Sequence, residues 1–272
     1  MTNNELLLTI VCGGGIAGTS WGGELFTQDG TDPTFQSLLD DKTISVGSNT
    51  TRGVTGSTIK VNTTAVAQGE SPIPHSISIH TLCNSSLPRK DFAKWTRWYQ
   101  EDGNTQVFRL FKGETNVRND RKLAARIEAF GGQWAAGPTN VWHEWEGTYT
   151  IVKPHGAAIF QSKNNLNDWS VMINCSDTGD IKLNHRRHQD DVVIARDMTG
   201  KSFQLKVRDN GRDYEVFFNG QKVGTGYYDR PEGKNAFRWG MYLGAHEVRH
   251  DAMIFVTGAK FKQCQQGQGT TR

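Results

Sequence analysis

The sequence has few cysteines and no closely spaced pair of them, which excludes two common kinds of cysteine-based site. Cys12, Cys83, Cys175 and Cys264 lie too far apart to form a C-x-x-C motif. Zinc ribbons and thiol redox centres use such motifs, so neither is expected. An even number of widely spaced cysteines is typical of a secreted chain, in which we expect up to two disulfides.

The sequence also lacks a long apolar run and a strong charge of one sign. The opening stretch "NNELLLTIVCGGGIAG" falls far below the ~20 apolar residues of a membrane helix, and it carries no basic leader segment. Lys and Arg number 31 against 28 Asp and Glu, which gives a net charge of +3. We therefore expect neither a membrane nor a nucleic-acid partner, and any anionic ligand must meet a local cluster of cations.

Four N-x-[ST] sequons are present, and such sites accept glycans in secreted proteins. They begin at Asn49, Asn62, Asn84 and Asn174. Together with the cysteines, they predict a secreted, extracellular glycoprotein.

From Val107 onward, short β-branched and aromatic runs recur at intervals of about ten residues, separated by Gly, Asn and Asp. Examples are "WSVMINC", "SFQLKVRD" and "FRWGMYL". This spacing predicts an all-β fold, an antiparallel jelly-roll sandwich of the concanavalin-like type, with a concave binding sheet. We expect one domain over residues 1–272, with a strand- and loop-rich part at 1–80 and a polar tail at 263–272. The stretch "PRKDFAKWTRWYQED" fits either a short helix or an edge strand.

Three of the predicted strands each place two polar side chains on one face, because side chains alternate along a strand. A solvated outer sheet gives the same pattern, so no single pair is decisive. Together with nearby aromatic residues, however, the pairs favour binding of an extended anionic sugar chain. The pairs are Arg126 with Glu128, Gln161 with Lys163, and Arg238 with Tyr242; the aromatic residues are Trp142, Trp145, Trp169, Tyr227, Tyr228 and Trp239.

Four motifs in this order resemble those of the β-jelly-roll polysaccharide lyases, which include alginate lyases, heparin lyase I and fungal glucuronan lyases. The motifs are "RIE" (126–128), "FQSK" (160–163), "EVFFNGQKV" (215–223) and "RWGMYL" (238–243), and the resemblance covers about Val107 to Phe261. It implies an endo-acting, monomeric enzyme that cleaves a uronate polysaccharide, alginate or glucuronan, by β-elimination. It implies no cofactor and leaves a structural calcium ion open.

The resemblance also implies roles for individual residues. Tyr242 would be the catalytic phenol, Arg126 and Gln161 would hold the uronate carboxylate, and Arg238 stands where relatives often have Lys. Lys163 replaces the histidine of the alginate-lyase pattern, which leaves the base open between Tyr242, Lys163 and a histidine, for which the candidates are His185, His188, His246 and His250. The full predicted site has Tyr242, Lys163, Gln161 and Arg126 as catalytic residues, with Arg238, Glu128, Arg121, Lys112 and His185 contacting the substrate.

Two other functions share the predicted fold. A glycoside hydrolase needs two carboxylates about 5–9.5 Å apart, for which Glu144 and Glu146 are the candidates. A lectin-like module would use the same sheet without catalysis. The motif "HEVRH" (246–250) resembles a zinc-binding pair but lacks the helix of H-E-x-x-H, so we expect no catalytic zinc or other catalytic metal. Gly240 is predicted to leave room for a sugar ring above the sheet.

Overall fold

The computed structural model describes residues 98–102, 104–115, 124–135, 137, 140–186 and 191–265, and four short strands before them. The described secondary structure is entirely β, and it contains no helix long and apolar enough to cross a membrane. The strands are β1 Thr50–Arg52, β2 Ile59–Val61, β3 Ser78–His80, β4 Ser86–Leu87, β5 Tyr99–Asp102, β6 Thr105–Leu110, β7 Arg126–Ala135, β8 Val141–Lys153, β9 Ala157–Asn164, β10 Trp169–Cys175, β11 Ile181–His185, β12 Val192–Ala195, β13 Ser202–Asp209, β14 Asp213–Phe218, β15 Gln221–Tyr227, β16 Lys234–Tyr242 and β17 Ala252–Gln265.

The strands form two large antiparallel sheets and one small pair, β1 with β2. The eight-stranded sheet has the order β12-β11-β10-β9-β16-β7-β3-β4, and the seven-stranded sheet has the order β15-β14-β13-β8-β17-β6-β5. The two large sheets share one hydrophobic core, in which the Trp145 ring of β8 lies 5.7 Å from the Trp239 ring of β16. The predicted all-β jelly-roll sandwich is therefore confirmed.

Alternation along the strands decides which side chains enter this core. On β16, Phe237, Trp239 and Met241 are no more than 1% exposed, and on β7 Ile127 and Ala129 are fully buried. The residues between them face away from the core. The predicted separation of apolar and polar faces on these two strands is confirmed.

A buried ion pair and two serines that bond to it connect the two large sheets. Asp209, at the end of β13, pairs with Arg230, and neither side chain is exposed. Ser162 of β9 and Ser170 of β10 each donate a hydrogen bond to Asp209 Oδ2, at 2.9 and 2.7 Å. These bonds satisfy the buried carboxylate and fix the positions of β9 and β10.

The structure differs from the sequence-based prediction at three places. Val192–Ala195 forms β12, a strand that was not predicted from the sequence. The ambiguous stretch ends in an edge strand, Tyr99–Asp102, while its earlier part lies outside the described residues. The C-terminal strand β17 runs to Gln265, three residues into the predicted polar tail.

Cys175 is a buried free thiol, so it belongs to no disulfide. Burial raises the pKa of this thiol to about 12. The expected upper limit of two disulfides therefore falls to one, because only three cysteines remain to pair.

Candidate active site

Strands β7, β16 and β9 bring the three predicted polar pairs together on the outer side of the eight-stranded sheet. Tyr242 lies opposite Arg126, and Arg238 lies opposite Gln161. Glu128 lies opposite Gly240 on the same two strands, β7 and β16. Directly opposed residues share a side of a sheet, so these groups face one way. We call this surface, with Arg126, Gln161, Lys163, Arg238 and Tyr242, the polar face.

A β-bulge in β16 sets the position of Tyr242. Between Trp239 and Tyr242, β16 advances three residues while β9 advances two. Gly240 in this bulge has φ +123°, and a Cβ there would lie 2.4 Å from the Ile127 carbonyl oxygen. Glycine is therefore needed for the backbone and for close contact with β7. The prediction that Gly240 makes room for a sugar ring is wrong.

Gln161 and Glu128 form a hydrogen-bonded pair in the floor of the polar face. Gln161 Nε2 donates to Glu128 Oε1 at 2.6 Å, and each residue is only 2% exposed. The bond fixes the orientation of the Gln161 carboxamide. Glu128, which was predicted to contact substrate, is placed instead to position Gln161.

Two arginines lie against aromatic rings of the same face. The Arg126 guanidinium lies 4.7 Å from the centre of the Tyr242 ring, and that of Arg238 lies 5.7 Å from the centre of the Phe130 ring. Burial lowers the pKa of Arg238, an effect that the carboxylate of Glu128 opposes. With Lys163, these residues make three cations around one carboxylate, a local excess that favours an anionic ligand.

Lys163 lies at the end of the polar face that is remote from Tyr242. Its Nζ donates to Asn167 Oδ1 at 2.5 Å, in the turn after β9. Tyr242 pairs with Ala158, five residues before Lys163, which is at most roughly 16 Å along the strand at ~3.3 Å per residue. Burial, followed by the charge of Arg238, lowers the pKa of Lys163 to about 8. The register therefore places the backbone of Lys163 five residues along the sheet from the position of Tyr242.

A pocket of about 430 Å³ opens beside Tyr242. Its wall includes Met172 and Asn174 of β10 and Lys182 of β11. Asn174 pairs with Ala158, which pairs in turn with Tyr242, so the fourth sequon lies on the polar face. A glycan on Asn174 would fill this pocket, while the other three sequon asparagines lie outside the described residues.

One cluster beside this pocket has the donor atoms of a metal site. The ligand atoms of His155, Asp177 and His250 all lie within 4.8 Å of one another. Those atoms already have partners: Arg249 donates from its guanidinium to both Asp177 oxygens and from its backbone N–H to His155 Nε2. Burial lowers the pKa of His155, which favours the neutral ring. The cluster therefore fits a hydrogen-bonded link between loops better than a cation site.

Two predicted site residues that the structure describes, His185 and Lys112, are not on the polar face. His185 points into the sandwich, where its Nδ1 lies 2.5 Å from the Tyr214 hydroxyl of the opposite sheet. Its prediction as a substrate or base residue is wrong, because Ile181, Leu183 and His185 alternate onto the core side. Lys112 follows β6 of the seven-stranded sheet and binds Asp251 through its backbone. Arg121 and His188 lie outside the described residues.

Most of the predicted aromatic frame also lies elsewhere. Trp145 and Trp239 are core residues, and Trp142 lies under Arg208 on the seven-stranded sheet. Tyr227 is on β15 of that sheet. Trp169, opposite Lys163, is the predicted tryptophan that lies on the polar face.

The two candidate hydrolase carboxylates lie on the wrong sheet. Glu144 and Glu146 belong to β8 of the seven-stranded sheet, where Glu144 pairs with Lys262 at 2.9 Å. Glu146 accepts a hydrogen bond from Gln204 at 2.7 Å. These carboxylates have cationic and amide partners of their own and do not face Tyr242, which removes the basis of the hydrolase prediction.

Sequence reasoning missed the outward-facing residues of β11 and the residue that follows it. Lys182, Asn184 and Arg186 alternate with core residues, and Asn184 lies opposite Met172, the neighbour of Gln161. The alternation in "DIKLNHR" is the signal that could have placed them on the polar face.

The two-sheet arrangement is that of the jelly-roll polysaccharide lyases, and the predicted resemblance is confirmed for the fold. Among solved structures, the alginate lyase AlgAT5 of polysaccharide lyase family 7 has a TM-score of 0.55 at 14% identity, covering 70% of this chain and 95% of that one. The alginate lyase from Corynebacterium sp. has a TM-score of 0.55 at 12% identity, with the same coverage. Alginate lyase A1-II′ of family 7 has a TM-score of 0.53 at 13% identity, covering 71% of this chain and 96% of that one.

These identities are low enough that the likeness concerns the fold alone. No model of a protein family matches the chain, and no curated protein matches it by sequence.

Proposed function

We propose that this protein is a secreted, endo-acting polysaccharide lyase that cleaves a uronate-containing polysaccharide, alginate or glucuronan, by β-elimination. The observation that carries the proposal is the Tyr242 phenol under the Arg126 guanidinium, on one face with Arg238 and the Gln161–Glu128 pair. The likeness to alginate lyases supports the fold of a polysaccharide lyase.

The first requirement of such a reaction is to offset the charge of the uronate carboxylate. Loss of the C5 proton places negative charge next to that carboxylate, so donors and cations aimed there stabilise the transition state. Arg126 and Arg238 supply positive charge, and Gln161 supplies an amide whose orientation is fixed by Glu128. These three side chains would bind the carboxylate of the sugar being cleaved.

The second requirement is proton transfer at C5 and at O4. Tyr242 in its phenolate form takes the C5 proton, and the electron pair of the C5–H bond forms the C4–C5 double bond. The C4–O4 bond breaks, and the phenol returns the proton to O4, so the residue ends as it began. One group does both steps when the two atoms lie on the same side of the ring.

We assign Lys163 to a contact with substrate and Tyr242 to the base at C5. Its amine is held by Asn167 in the turn after β9, away from the end at which Tyr242 lies. In its protonated form it would bind the carboxylate of another sugar in the same chain.

The test is incubation of the purified protein with polymannuronate, polyguluronate, glucuronan and heparin. Lysis yields unsaturated sugar ends that absorb in the ultraviolet, and we expect them from at least one uronate polymer. Reducing ends without this absorption would indicate a hydrolase. Polymer binding without products would indicate a lectin, and either result would overturn the proposal.

A further inference from the structure

Arg186 is an exposed cation that two aromatic rings hold in place on the outer side of the eight-stranded sheet. Its guanidinium lies 5.1 Å from the centre of the Trp169 ring and 5.8 Å from that of Tyr228. Its backbone N–H donates to the Ser170 carbonyl at 3.2 Å, which extends the β10–β11 pairing by one step. Contacts with two rings restrict a side chain that would otherwise sample many rotamers.

The charge of Arg186 is not neutralised within the part of the chain that the structure describes. Several other exposed cations there have a carboxylate within 3.3 Å, whereas the Arg186 guanidinium contacts the two rings and no carboxylate. The paired cations are Arg196 with Asp180, Lys201 with Asp197, Arg212 with Asp213, Lys222 with Glu215, and Arg249 with Asp177.

The position of this cluster relates it to the polar face. Trp169 lies directly opposite Lys163, so the ring under Arg186 is on the same face as Gln161 and Tyr242. Like Lys163, Trp169 lies at the end of the face that is remote from Tyr242, because Lys163 is five residues along β9 from Ala158, the partner of Tyr242. The Tyr228 hydroxyl donates a hydrogen bond to Asp168 at 3.4 Å, which restricts the position of the Tyr228 ring.

We infer that Arg186, held between Trp169 and Tyr228, is a distal subsite that binds the carboxylate of a uronate residue remote from the cleaved bond. A planar guanidinium with free N–H groups binds carboxylates in a two-point geometry, and a pre-oriented one loses little entropy on binding. The inference rests on the proposed function for the identity of the polymer. It adds a residue that makes the protein select long anionic chains over short ones.

The experiment measures binding and cleavage of size-defined uronate oligomers by wild-type protein, Arg186→Ala and Arg186→Lys. For oligomers long enough to span from Tyr242 to Trp169, Arg186→Ala should raise Kd and KM about tenfold and leave kcat unchanged. The shortest cleaved oligomers should bind the variant as they bind wild type. Kd and KM of Arg186→Lys should lie between those of wild type and Arg186→Ala, because lysine keeps the charge and loses the planar guanidinium.

Lys260→Ala is the matched control, since it removes one exposed positive charge from the seven-stranded sheet. Lys260→Ala should leave Kd and KM for the long oligomers unchanged. Equal affinity of wild type and Arg186→Ala for long oligomers would overturn the distal subsite even if the enzyme cleaves them. If wild type forms no unsaturated ends yet Arg186→Ala weakens binding of long oligomers, the lyase proposal fails and the subsite stands.

Discussion

Lys163 occupies the position of a histidine in the alginate-lyase pattern, and its surroundings define its charge. Burial and the nearby Arg238 lower the pKa of its amine to about 8, while Glu128 opposes this effect. The amine is therefore positive below about pH 8 and neutral above it. The positive amine can bind a substrate carboxylate, whereas the neutral amine can act as a general base.

We predict that KM for the polymer rises as the pH increases through about 8, because the carboxylate contact of Lys163 is lost. Lys163→Arg should abolish this rise and keep most of kcat, since arginine stays charged. The measurement is the pH profile of kcat and KM for both proteins. An inactive Lys163→Arg, with wild-type kcat/KM increasing through pH 8, would make Lys163 the base instead.

Gln161 gives a second prediction at this scale. Replacing Gln161 with Ala removes a donor that matters most as charge develops, so kcat should fall on the order of 10²-fold or more with little change in KM. Gln204→Ala is the control, because Gln204 binds Glu146 on the opposite sheet. Intact kcat with a raised KM would limit Gln161 to substrate anchoring.

At the scale of strands, the bulge in β16 determines where the phenol lies. We predict that Gly240→Ala costs roughly 1–3 kcal/mol of unfolding free energy, because alanine is strained at φ +123° and its Cβ meets the Ile127 carbonyl. Activity should fall as well, since Tyr242 follows the bulge. Urea unfolding and turnover rates measure the two effects.

Gly113→Ala is the control, because Gly113 also has positive φ but faces open space. It should lose about 1 kcal/mol or less and keep full activity. Wild-type stability and activity in Gly240→Ala would contradict the role given to the bulge.

Most strands could be predicted from the sequence, because β-branched and aromatic runs between turn residues are a local signal. The NG of "EVFFNGQKV" is one example: Asn219 and Gly220 both have positive φ and join β14 to β15 in a tight turn. The bulge could not be predicted, since it depends on how β16 packs between two neighbours. The wrong placement of Trp239 was avoidable, because it alternates with the core residues Phe237 and Met241.

The alternation of side chains along the strands predicted which residues of the site share a face. Arg126, Gln161, Arg238 and Tyr242 share a face, as the pattern predicted. What could not be predicted is distance along the face, which separates Lys163 from Tyr242, and the contact of His185 with the other sheet. Such features follow from register and packing between strands that are remote in sequence.

At the scale of the whole molecule, the free thiol of Cys175 limits how the chain is cross-linked. Four cysteines less Cys175 leave three, so at most one intramolecular disulfide forms. Titration of the denatured, unreduced monomer should therefore give two or four free thiols. A titre of zero would contradict the buried free thiol.

The fold is shared with alginate lyases at 12–14% identity, so the assignment of activity rests on a few side chains rather than on overall likeness. A jelly-roll sheet with cations and aromatic rings would also serve a lectin. Under the proposed function, the phenol of Tyr242 is the group that would distinguish an enzyme from a binding module on this surface.

The most direct measurement compares wild type with Tyr242→Phe for both formation of unsaturated ends and binding of the same uronate polymer. Phenylalanine keeps the ring that packs against Arg126 but cannot transfer a proton. We predict a loss of ~10³-fold or more in kcat, an unchanged melting temperature and retained polymer binding, because Arg126, Gln161 and Arg238 remain. A Tyr242→Phe variant that keeps most of the wild-type lyase activity would contradict the assignment of proton transfer to this residue.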